Sequence, residues 1–318
     1  MKDVAIVGLA GSGKSTVFTA VSAHATGGAI GSQAVVDVPD ERLDRIAEIY
    51  ESDKKTRAQV RLVDVPGIDP HSLNAARAAD ALAIVLRAFG EDADVKRDLD
   101  SFHAELAVAD LATVEKVLER ASKREAFEVE VARHAEAVLT DGRWLAEEDW
   151  TPEQRRVVAM WTPLTLKPAV YVVNAEDPHA STDGVPEPKV RICGALEAEA
   201  IELPDDEANA LLSEFGITER ATGALIQAAY DAIGLLTFFT AGPTEAHAWE
   251  TFRGSKAPQA AGVIHTDFER GFIKAERVRY ADLVESGSEE EAKRRGLVRL
   301  EGKDYEVQEG DILLIRHS

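Results

Sequence analysis

A glycine-rich segment close to the N-terminus has the residue types and spacing needed to hold a polyphosphate. Residues 8–15 read GLAGSGKS and fit the pattern G-x4-G-K-[ST], between a strand predicted at 3–8 and a helix that begins at Lys14. Glycines let the backbone turn so that successive N–H groups point at phosphate oxygens, and the helix N-terminus adds partial positive charge. We expect Lys14 to reach the β- and γ-phosphates and the Ser15 hydroxyl to coordinate Mg²⁺. The residues predicted to form this loop are Gly8, Gly11, Ser12, Gly13, Lys14 and Ser15.

A second candidate metal ligand stands at the end of a predicted strand. Residues 58–65 alternate in a strand-like way and stop at Pro66-Gly67, which places Asp64 at the strand end. A carboxylate there can hold Mg²⁺, usually through water, and the N–H of Gly67 can sense a γ-phosphate. The pattern D-x-x-G is common by chance, but its position after the phosphate loop makes it informative. The sequence therefore predicts Ser15 and Asp64 as the metal side of one site.

Polar residues near the ends of two later strands are candidates for base recognition. The tetrad Asn174-Ala175-Glu176-Asp177 follows an apolar run, and Cys193-Gly194-Ala195 ends the strand-like run at 190–195. Ras-like GTPases read guanine with N-K-x-D, in which the Asp accepts two hydrogen bonds from the base and the Lys packs on the ring. Here Ala175 replaces the Lys. A backbone N–H of a loop such as 193–195 normally contacts the base, so the order phosphate, metal, base predicts ATP or GTP as ligand.

Composition excludes several classes of protein. The 318 residues include 36 basic and 57 acidic side chains, a formal net charge of −21 that opposes non-specific binding to DNA or an anionic membrane. No apolar run approaches about 20 residues, and the N-terminal segment lacks the features of a signal peptide. The single cysteine excludes an internal disulfide. We therefore expect a cytoplasmic protein without a membrane or DNA partner. Residues 234–318 carry a net charge of only −3, so this part of the chain repels RNA less strongly than the rest does.

Hydrophobic periodicity predicts the elements that position these residues. The apolar runs at 81–89 and 168–175 predict buried strands, and Asp40 suits the N-cap of a helix at 41–50. A further helix is expected at 218–233. Residues 24–39 are rich in Gly, Ala and Ser without a period, which predicts a mobile loop. Alternating strands and helices are typical of an α/β domain.

Two other parts of the chain differ from this α/β part in their hydrophobic pattern. From Asp98 to Asp141-Gly142, apolar residues recur at a spacing of about 3.6 with dense charge between them, which predicts a long helix or a helical pair. No strand signal occurs there. After Gly234 the sequence changes to short strands separated by glycine turns, which predicts a small α+β domain.

Several longer segments match one known family. They are LDSFHAELAVADLATVEKVLER at 99–120, TPLTLKPAVYVVNAED at 162–177, ICGALEAEAIEL at 192–203, and stretches of 235–276 and 301–314 that include HTDFERGFIKAE and EGKDYEVQEGDILL. In these segments the chain resembles the YchF/Obg-like ATPase family of P-loop NTPases. The match to the C-terminal TGS-type domain of that family is the most specific.

The resemblance implies a fold, an activity and a set of site residues. The fold is a Ras-like P-loop NTPase domain over 1–97 and 152–233, a helical insertion over 98–151 and a TGS-like β-grasp domain over 234–318. The implied protein prefers ATP, sometimes uses GTP, hydrolyses it with Mg²⁺ and associates with the ribosome or its RNA. Residues that carry over are Gly8, Gly13, Lys14, Ser15 and Thr16 for phosphate, Asp64 and Gly67 for magnesium and the γ-phosphate, and Asn174 for the base.

The chain departs from the family pattern at positions that matter for chemistry. Asp177 stands where the family has Glu, and an Asp at this position is typical of proteins that recognise guanine. The glycine-rich GLGN segment that the family has after D-x-x-G is missing. The Thr-bearing loop is abbreviated, with Thr26 as its nearest candidate. Ile68 occupies the position at which Ras-like proteins place a water-orienting Gln. His71 is the nearest group in sequence that can transfer a proton, so we expect slow hydrolysis with His71 as the candidate catalytic residue.

These features are compatible to different degrees with three functions. The first is an NTPase switch whose nucleotide state is read out to a ribosome or RNA by the helical insertion and the TGS-like domain. The second is a nucleotide-gated binding module with little hydrolysis, which the shortened switch segments favour. A small-molecule P-loop kinase would need an arginine-rich lid, and the sequence shows none.

The identity of the base can be tested directly at Asp177. If its carboxylate reads the guanine edge, Asp177→Ala weakens the binding of GTP more than that of ATP. Calorimetry with both nucleotides, on the parent protein and the variant, measures the two losses. Equal losses would contradict the assignment.

Overall fold

The computed structural model separates the chain into two compact units. Residues 2–36 and 61–232 form the first unit, and Met1, residues 37–60 and residues 233–318 form the second. Thr26 lies outside the described residues. The structure describes residues 1–22, 25, 31–120 and 125–318, apart from the side chain of Asp205.

The described residues form the following strands and helices along the chain. The strands are β1 Lys2–Val7, β2 Gln33–Asp37, β3 Lys54–Thr56, β4 Gln59–Asp64, β5 Ala81–Ala88, β6 Ala169–Ala175, β7 Lys189–Ile192, β8 Leu235–Ala241, β9 Glu245–Phe252, β10 Phe272–Arg279, β11 Arg299–Glu301 and β12 Asp311–His317. The helices are α1 Lys14–Val21, α2 Glu41–Tyr50, α3 Pro70–Ala78, α4 Val95–Glu119, α5 Ala126–Thr140, α6 Pro152–Met160, α7 Gly194–Glu199, α8 Asp205–Glu214, α9 Ala221–Ile233, α10 Ala257–Ile264, α11 Thr266–Arg270, α12 Tyr280–Ser286 and α13 Glu289–Arg294. Over the described residues, every helix falls short of the length and apolar character that a membrane span requires.

The first unit is built around a six-stranded sheet with the strand order β2-β4-β1-β5-β6-β7. Strands β1, β5, β6 and β7 pair in parallel, with Val4 opposite Ala81 and Leu82 opposite Ala169. Their apolar side chains are buried, as expected for parallel strands covered by helices. Because parallel strands end at the same edge of a sheet, the loops after β1 and β6 are neighbours, and ligands bind at such an edge.

The helical segment is a pair rather than one long helix. The carboxylate of Asp94 caps α4 by accepting a hydrogen bond from the N–H of Arg97, and α4 packs along α5. Buried positions recur one or two turns apart, and the pair has a core of its own with Leu145 and Val158. The predicted end at Asp141-Gly142 is confirmed, because Asp141 is the C-cap of α5.

The second unit contains a sheet in the order β11-β10-β12-β8-β9-β3 with α10 packed on one face. Phe238, Leu236 and Ala260 form part of its core, which fits the predicted β-grasp domain. Strand β3 adds to the edge in parallel to β9, with Lys54 opposite Glu245. Residues 37–60, which the sequence assigns to the nucleotide-binding part, therefore group with the C-terminal strands.

Some local predictions are confirmed and others are wrong. Asp40 caps α2 as predicted, its carboxylate accepting from the N–H of Arg42. The loop predicted at 24–39 is wrong at 33–37, because Gln33–Asp37 alternate exposed and buried side chains and form β2. The strand predicted at 190–195 ends at Ile192, since Cys193 is the N-cap of a helix that takes in Gly194 and Ala195.

Candidate functional site

Two glycines of the phosphate loop are required by close contacts at the first strand-to-helix corner. Gly13 has φ +84° and caps α1, in a conformation that favours glycine. A Cβ on Gly13 would lie 2.2 Å from Nδ2 of Asn174, and one on Gly8 would lie 2.5 Å from the carbonyl oxygen of Val85. The loop can therefore follow this path only without side chains at these positions. The loop leads directly into α1, and the N-terminus of a helix stabilises an anion.

Asn174 holds the phosphate loop and the base loop together. Its side chain is buried, and Nδ2 donates a hydrogen bond of 3.1 Å to the carbonyl oxygen of Ser12. Its Oδ1 accepts a hydrogen bond of 3.1 Å from the N–H of Gly194. The residue predicted for the base thus joins the loop at 8–16 to the segment at 193–195.

The metal side of the site brings together Ser15, Asp64 and Lys14. The Ser15 hydroxyl donates a 3.0 Å hydrogen bond to Oδ2 of Asp64, while Oδ1 of Asp64 is buried and has no hydrogen-bond partner among the described residues. Lys14 donates from Nζ to the carbonyl oxygen of Leu9 at 3.0 Å, and burial lowers its pKa although Asp64 opposes this. A hydroxyl and a carboxylate are ligands that Mg²⁺ accepts, so these residues fit the cation.

The described residues contain no cluster of three or more His, Cys, Asp or Glu side chains that could hold a metal ion. A Mg²⁺ bound at Ser15 and Asp64 would therefore take its remaining ligands from phosphate oxygens and water, as is usual for this ion. Metal and nucleotide are thus expected to bind together.

The loop carrying Gly67 leads directly into α3. Asp69 caps this helix, and its Oδ1 accepts hydrogen bonds from the N–H groups of His71 at 3.0 Å and Ser72 at 3.2 Å. The hydrogen bond from the Ser72 hydroxyl, helped by these backbone N–H groups, lowers the pKa of Asp69. His71 lies exposed in the first turn, and its imidazole forms no hydrogen bond with another residue of the described ranges. It is accessible to solvent and to a ligand.

The base-side residues follow β6 and β7. Asp177 is exposed, and its Oδ1 accepts a 2.7 Å hydrogen bond from the N–H of His179, which closes a tight turn. The Cys193 thiol is buried, contacts the carbonyl oxygen of Glu176 at 3.9 Å and has its pKa raised by burial. A buried thiol with a raised pKa is a poor nucleophile, which favours the inert interpretation of Cys193. Ala195 is exposed in the first turn of α7.

Sequence reasoning missed two residues beside the site. Glu197 is 2% exposed, and its Oε2 accepts a 3.0 Å hydrogen bond from the N–H of Ala221 at the start of α9. The N–H of Glu197 donates a 2.8 Å hydrogen bond to the carbonyl oxygen of Cys193, so Glu197 ties the start of α7 to the start of α9, and burial raises its pKa from 4.5 to about 7. The Phe89 ring lies 3.5 Å from the place of a Cβ on Gly13, beside the phosphate loop. An aromatic residue at the end of an apolar run was the available signal.

The contact between Gly13 and Asn174 makes Gly13→Ala a severe change. The methyl group collides with the Asn174 amide, and the left-handed backbone adds about 1–2 kcal/mol of strain. We expect nucleotide binding to fall below detection by calorimetry. Gly142→Ala is the matched control, because Gly142 also has positive φ but no atom within 4 Å of the added Cβ. Tight binding by Gly13→Ala would contradict the geometry.

The raised pKa of Glu197 predicts a pH-dependent stability. The folded protein holds this proton more tightly than the unfolded chain, so stability falls as pH rises from 4.5 to about 7. Between pH 5 and pH 8, the loss in free energy of unfolding should be roughly 1–3 kcal/mol smaller in Glu197→Gln, which cannot ionise, than in the parent protein. Urea unfolding at both pH values measures this, with the exposed Glu199→Gln as control. Equal pH slopes in Glu197→Gln and the parent protein would refute it.

Known protein families match both the N-terminal and the C-terminal part of the chain. Residues 3–175 match the family MMR_HSR1, described as a 50S ribosome-binding GTPase, and residues 235–318 match YchF-GTPase_C, described as a protein of unknown function. The Ribosome-binding ATPase YchF of Bacillus subtilis is 36% identical over 98% of this chain and 98% of its own length. Obg-like ATPase 1 of Oryza sativa subsp. japonica is 34% identical over 99% of this chain and 92% of its own.

A solved structure supports the fold over the whole chain. The YchF GTPase of Schizosaccharomyces pombe superposes with a TM-score of 0.87 at 28% identity, covering 99% of this chain and 97% of its own. The predicted architecture, a Ras-like P-loop domain with a helical insertion and a C-terminal β-grasp domain, is confirmed. The chain belongs to the YchF family of P-loop NTPases.

Proposed function

We propose that this YchF-type NTPase binds ATP or GTP with Mg²⁺, hydrolyses it slowly and uses its nucleotide state to control association with the ribosome. The observation that carries the nucleotide site is the Asn174 side chain, which spans the carbonyl oxygen of Ser12 and the N–H of Gly194. This bridge sets a phosphate-binding loop and a base-binding loop at one edge of the sheet, which is the arrangement a nucleoside triphosphate needs.

The residues have separate tasks in this proposal. The backbone of 8–16 and the Lys14 ammonium bind the phosphates, and Gly67 contacts the γ-phosphate. Ser15 and Asp64 hold Mg²⁺, which supplies charge neutralisation at the phosphates when bound. The base is recognised on the side of the site formed by Asn174, Asp177, Cys193, Gly194 and Ala195.

Slow hydrolysis follows from the residue that succeeds Gly67. Ile68 has no polar atom in its side chain, so it cannot orient an attacking water as a Gln does. His71 is the proposed substitute, because it is exposed in the first turn of α3 and its imidazole can act as a proton donor or acceptor. A nucleotide-gated binding module with little hydrolysis remains the second candidate, which the shortened segment after Gly67 favours.

The ribosome enters the proposal through the relatives, several of which are named ribosome-binding ATPases, among them those of Bacillus subtilis and Haemophilus influenzae. We propose the helical insertion at 98–151 and the TGS-like domain at 234–318 as the contact regions. The near-balanced charge of 234–318 presents less repulsion to ribosomal RNA than the rest of a chain of net charge −21. Association with ribosomes would place the protein in the cytoplasm.

Single-turnover hydrolysis tests the enzymatic part. With the protein in excess over ATP or GTP, the parent should release phosphate above background, and Lys14→Ala should not bind or turn over either nucleotide because the ammonium that meets the phosphates is lost. His71→Ala should bind normally and lose at least about fivefold in kcat. Ribosomes are added in a parallel series to test for stimulation.

Each outcome separates the candidates. Binding without phosphate release, with and without ribosomes, would replace the hydrolase by the gated binding module. An unchanged kcat in His71→Ala would remove His71 from the mechanism and leave the nucleotide site standing.

A further inference from the structure

A fully buried carboxylate in the helical pair organises the segment that leads into β6. Asp110 lies on α4, and its Oδ1 accepts a 3.0 Å hydrogen bond from the N–H of Leu164. Its Oδ2 accepts from the N–H of Thr165 at 2.8 Å and from the hydroxyl of Thr165 at 2.9 Å. A carboxylate without water is stable only with such donors, so α4 and this segment are fixed to each other.

Arg77 joins a third element to this cluster. It lies in the last turn of α3, and its Nη1 donates to Oδ1 of Asp110 at 2.7 Å and to the carbonyl oxygen of Thr162 at 3.0 Å. Its Nη2 donates to the carbonyl oxygen of Ala109 at 3.0 Å. The planar guanidinium thus contacts α4 and the residues after α6 at once, which a lysine ammonium cannot reproduce.

The backbone of Thr162, whose carbonyl oxygen accepts a hydrogen bond from Arg77, has a strained conformation. Thr162 has φ +49°, a left-handed conformation that is unfavourable for a β-branched residue. Its carbonyl oxygen is one of the acceptors of Arg77. Strained residues persist where the surrounding contacts hold them, and they are common at segments that switch between states.

The other end of α3 reaches the proposed γ-phosphate sensor. Gly67 lies two residues before the N-cap Asp69, and Leu73 and Ala76 pack α3 onto the core of the first unit. The helix has nine residues and is therefore roughly 14 Å long. Because α3 is short and capped at Asp69, it provides a continuous structural connection from the loop at Gly67 to Arg77.

We propose that Arg77 is the positioning residue that couples the Gly67 loop to the helical pair α4–α5. Through its bonds to Asp110, Ala109 and Thr162, the nucleotide state at Gly67 sets how firmly the helical pair is held. This inference rests on the proposed nucleotide site, and it assigns to α3 the step between nucleotide binding and the region proposed to meet the ribosome.

Hydrogen exchange with mass spectrometry on the full chain tests the coupling. AMP-PNP and GMP-PNP are the probes, and exchange is compared with and without nucleotide. In the parent protein the bound nucleotide should slow exchange at 8–16 and change it at least twofold in α4 and α5. In Arg77→Ala the protection at 8–16 should persist, with Kd within threefold of the parent, while the response of α4 and α5 disappears. Arg77→Lys keeps the positive charge but lacks the planar guanidinium that contacts three acceptors at once. It should lose at least half of the response.

Controls separate this role from general destabilisation. Arg143→Ala removes an exposed ion pair with Glu148 next to the helical pair, and it should leave the nucleotide response of α4 and α5 intact. A full response in Arg77→Ala would overturn the inference, as would the absence of any response of α4 in a parent protein protected at 8–16. If Arg77→Ala does not fold, an undiminished response in Arg77→Lys overturns it. Absence of protection at 8–16 in the parent would instead overturn the proposed function.

Discussion

The close approach of Gly13 to Asn174 is the constraint on which the nucleotide site depends. The two residues are brought together because β1 and β6 both run parallel to β5 between them, so that the loop after β1 lies at the same sheet edge as the end of β6, which carries Asn174. Only a residue without a side chain fits between the loop and the amide, whose Nδ2 would lie 2.2 Å from a Cβ. The amide in turn uses both ends, one on Ser12 and one on Gly194. These contacts join the loop at 8–16, the end of β6 and the segment at 193–195.

Buried charged groups in this unit differ in how completely they are satisfied, and their chemistry differs accordingly. Asp110 has donors on both oxygens and an arginine beside it, which suits a structural joint. Glu197 has fewer partners for its burial, so its pKa rises to about 7. Asp64 keeps one buried oxygen without a partner within the described part of the chain, next to the Ser15 hydroxyl. A buried, incompletely satisfied carboxylate is expected where a cation binds.

The second unit shows why sequence order and structural grouping differ. Residues 37–60 come between two strands of the nucleotide-binding sheet, and their amphipathic helix α2 has the pattern of any surface helix. Strand β3 nevertheless pairs with β9, nearly 200 residues later, and Thr56 donates from its hydroxyl to Glu245. An edge strand of three residues with two lysines has no hydrophobic period to reveal its partner. The segment that links the two predicted switch regions thus belongs to the same unit as the TGS-like domain.

The sequence by itself determined the features that depend on neighbouring residues. The phosphate-loop motif, the capped helix α2, the buried strands and the helical character of the insertion follow from local spacing, caps and periodicity, and the family follows from the motifs at 162–177 and 235–276. That the insertion consists of two helices is seen only in the structure. Tertiary structure decided the rest, because the contacts join residues far apart in the chain. Asn174 meets Ser12 across 162 positions, and Arg77 meets Asp110 across 33. No local pattern specifies which carboxylate will be buried, which oxygen will lack a donor or which glycine will face an amide, since burial and pairing are properties of the packed chain.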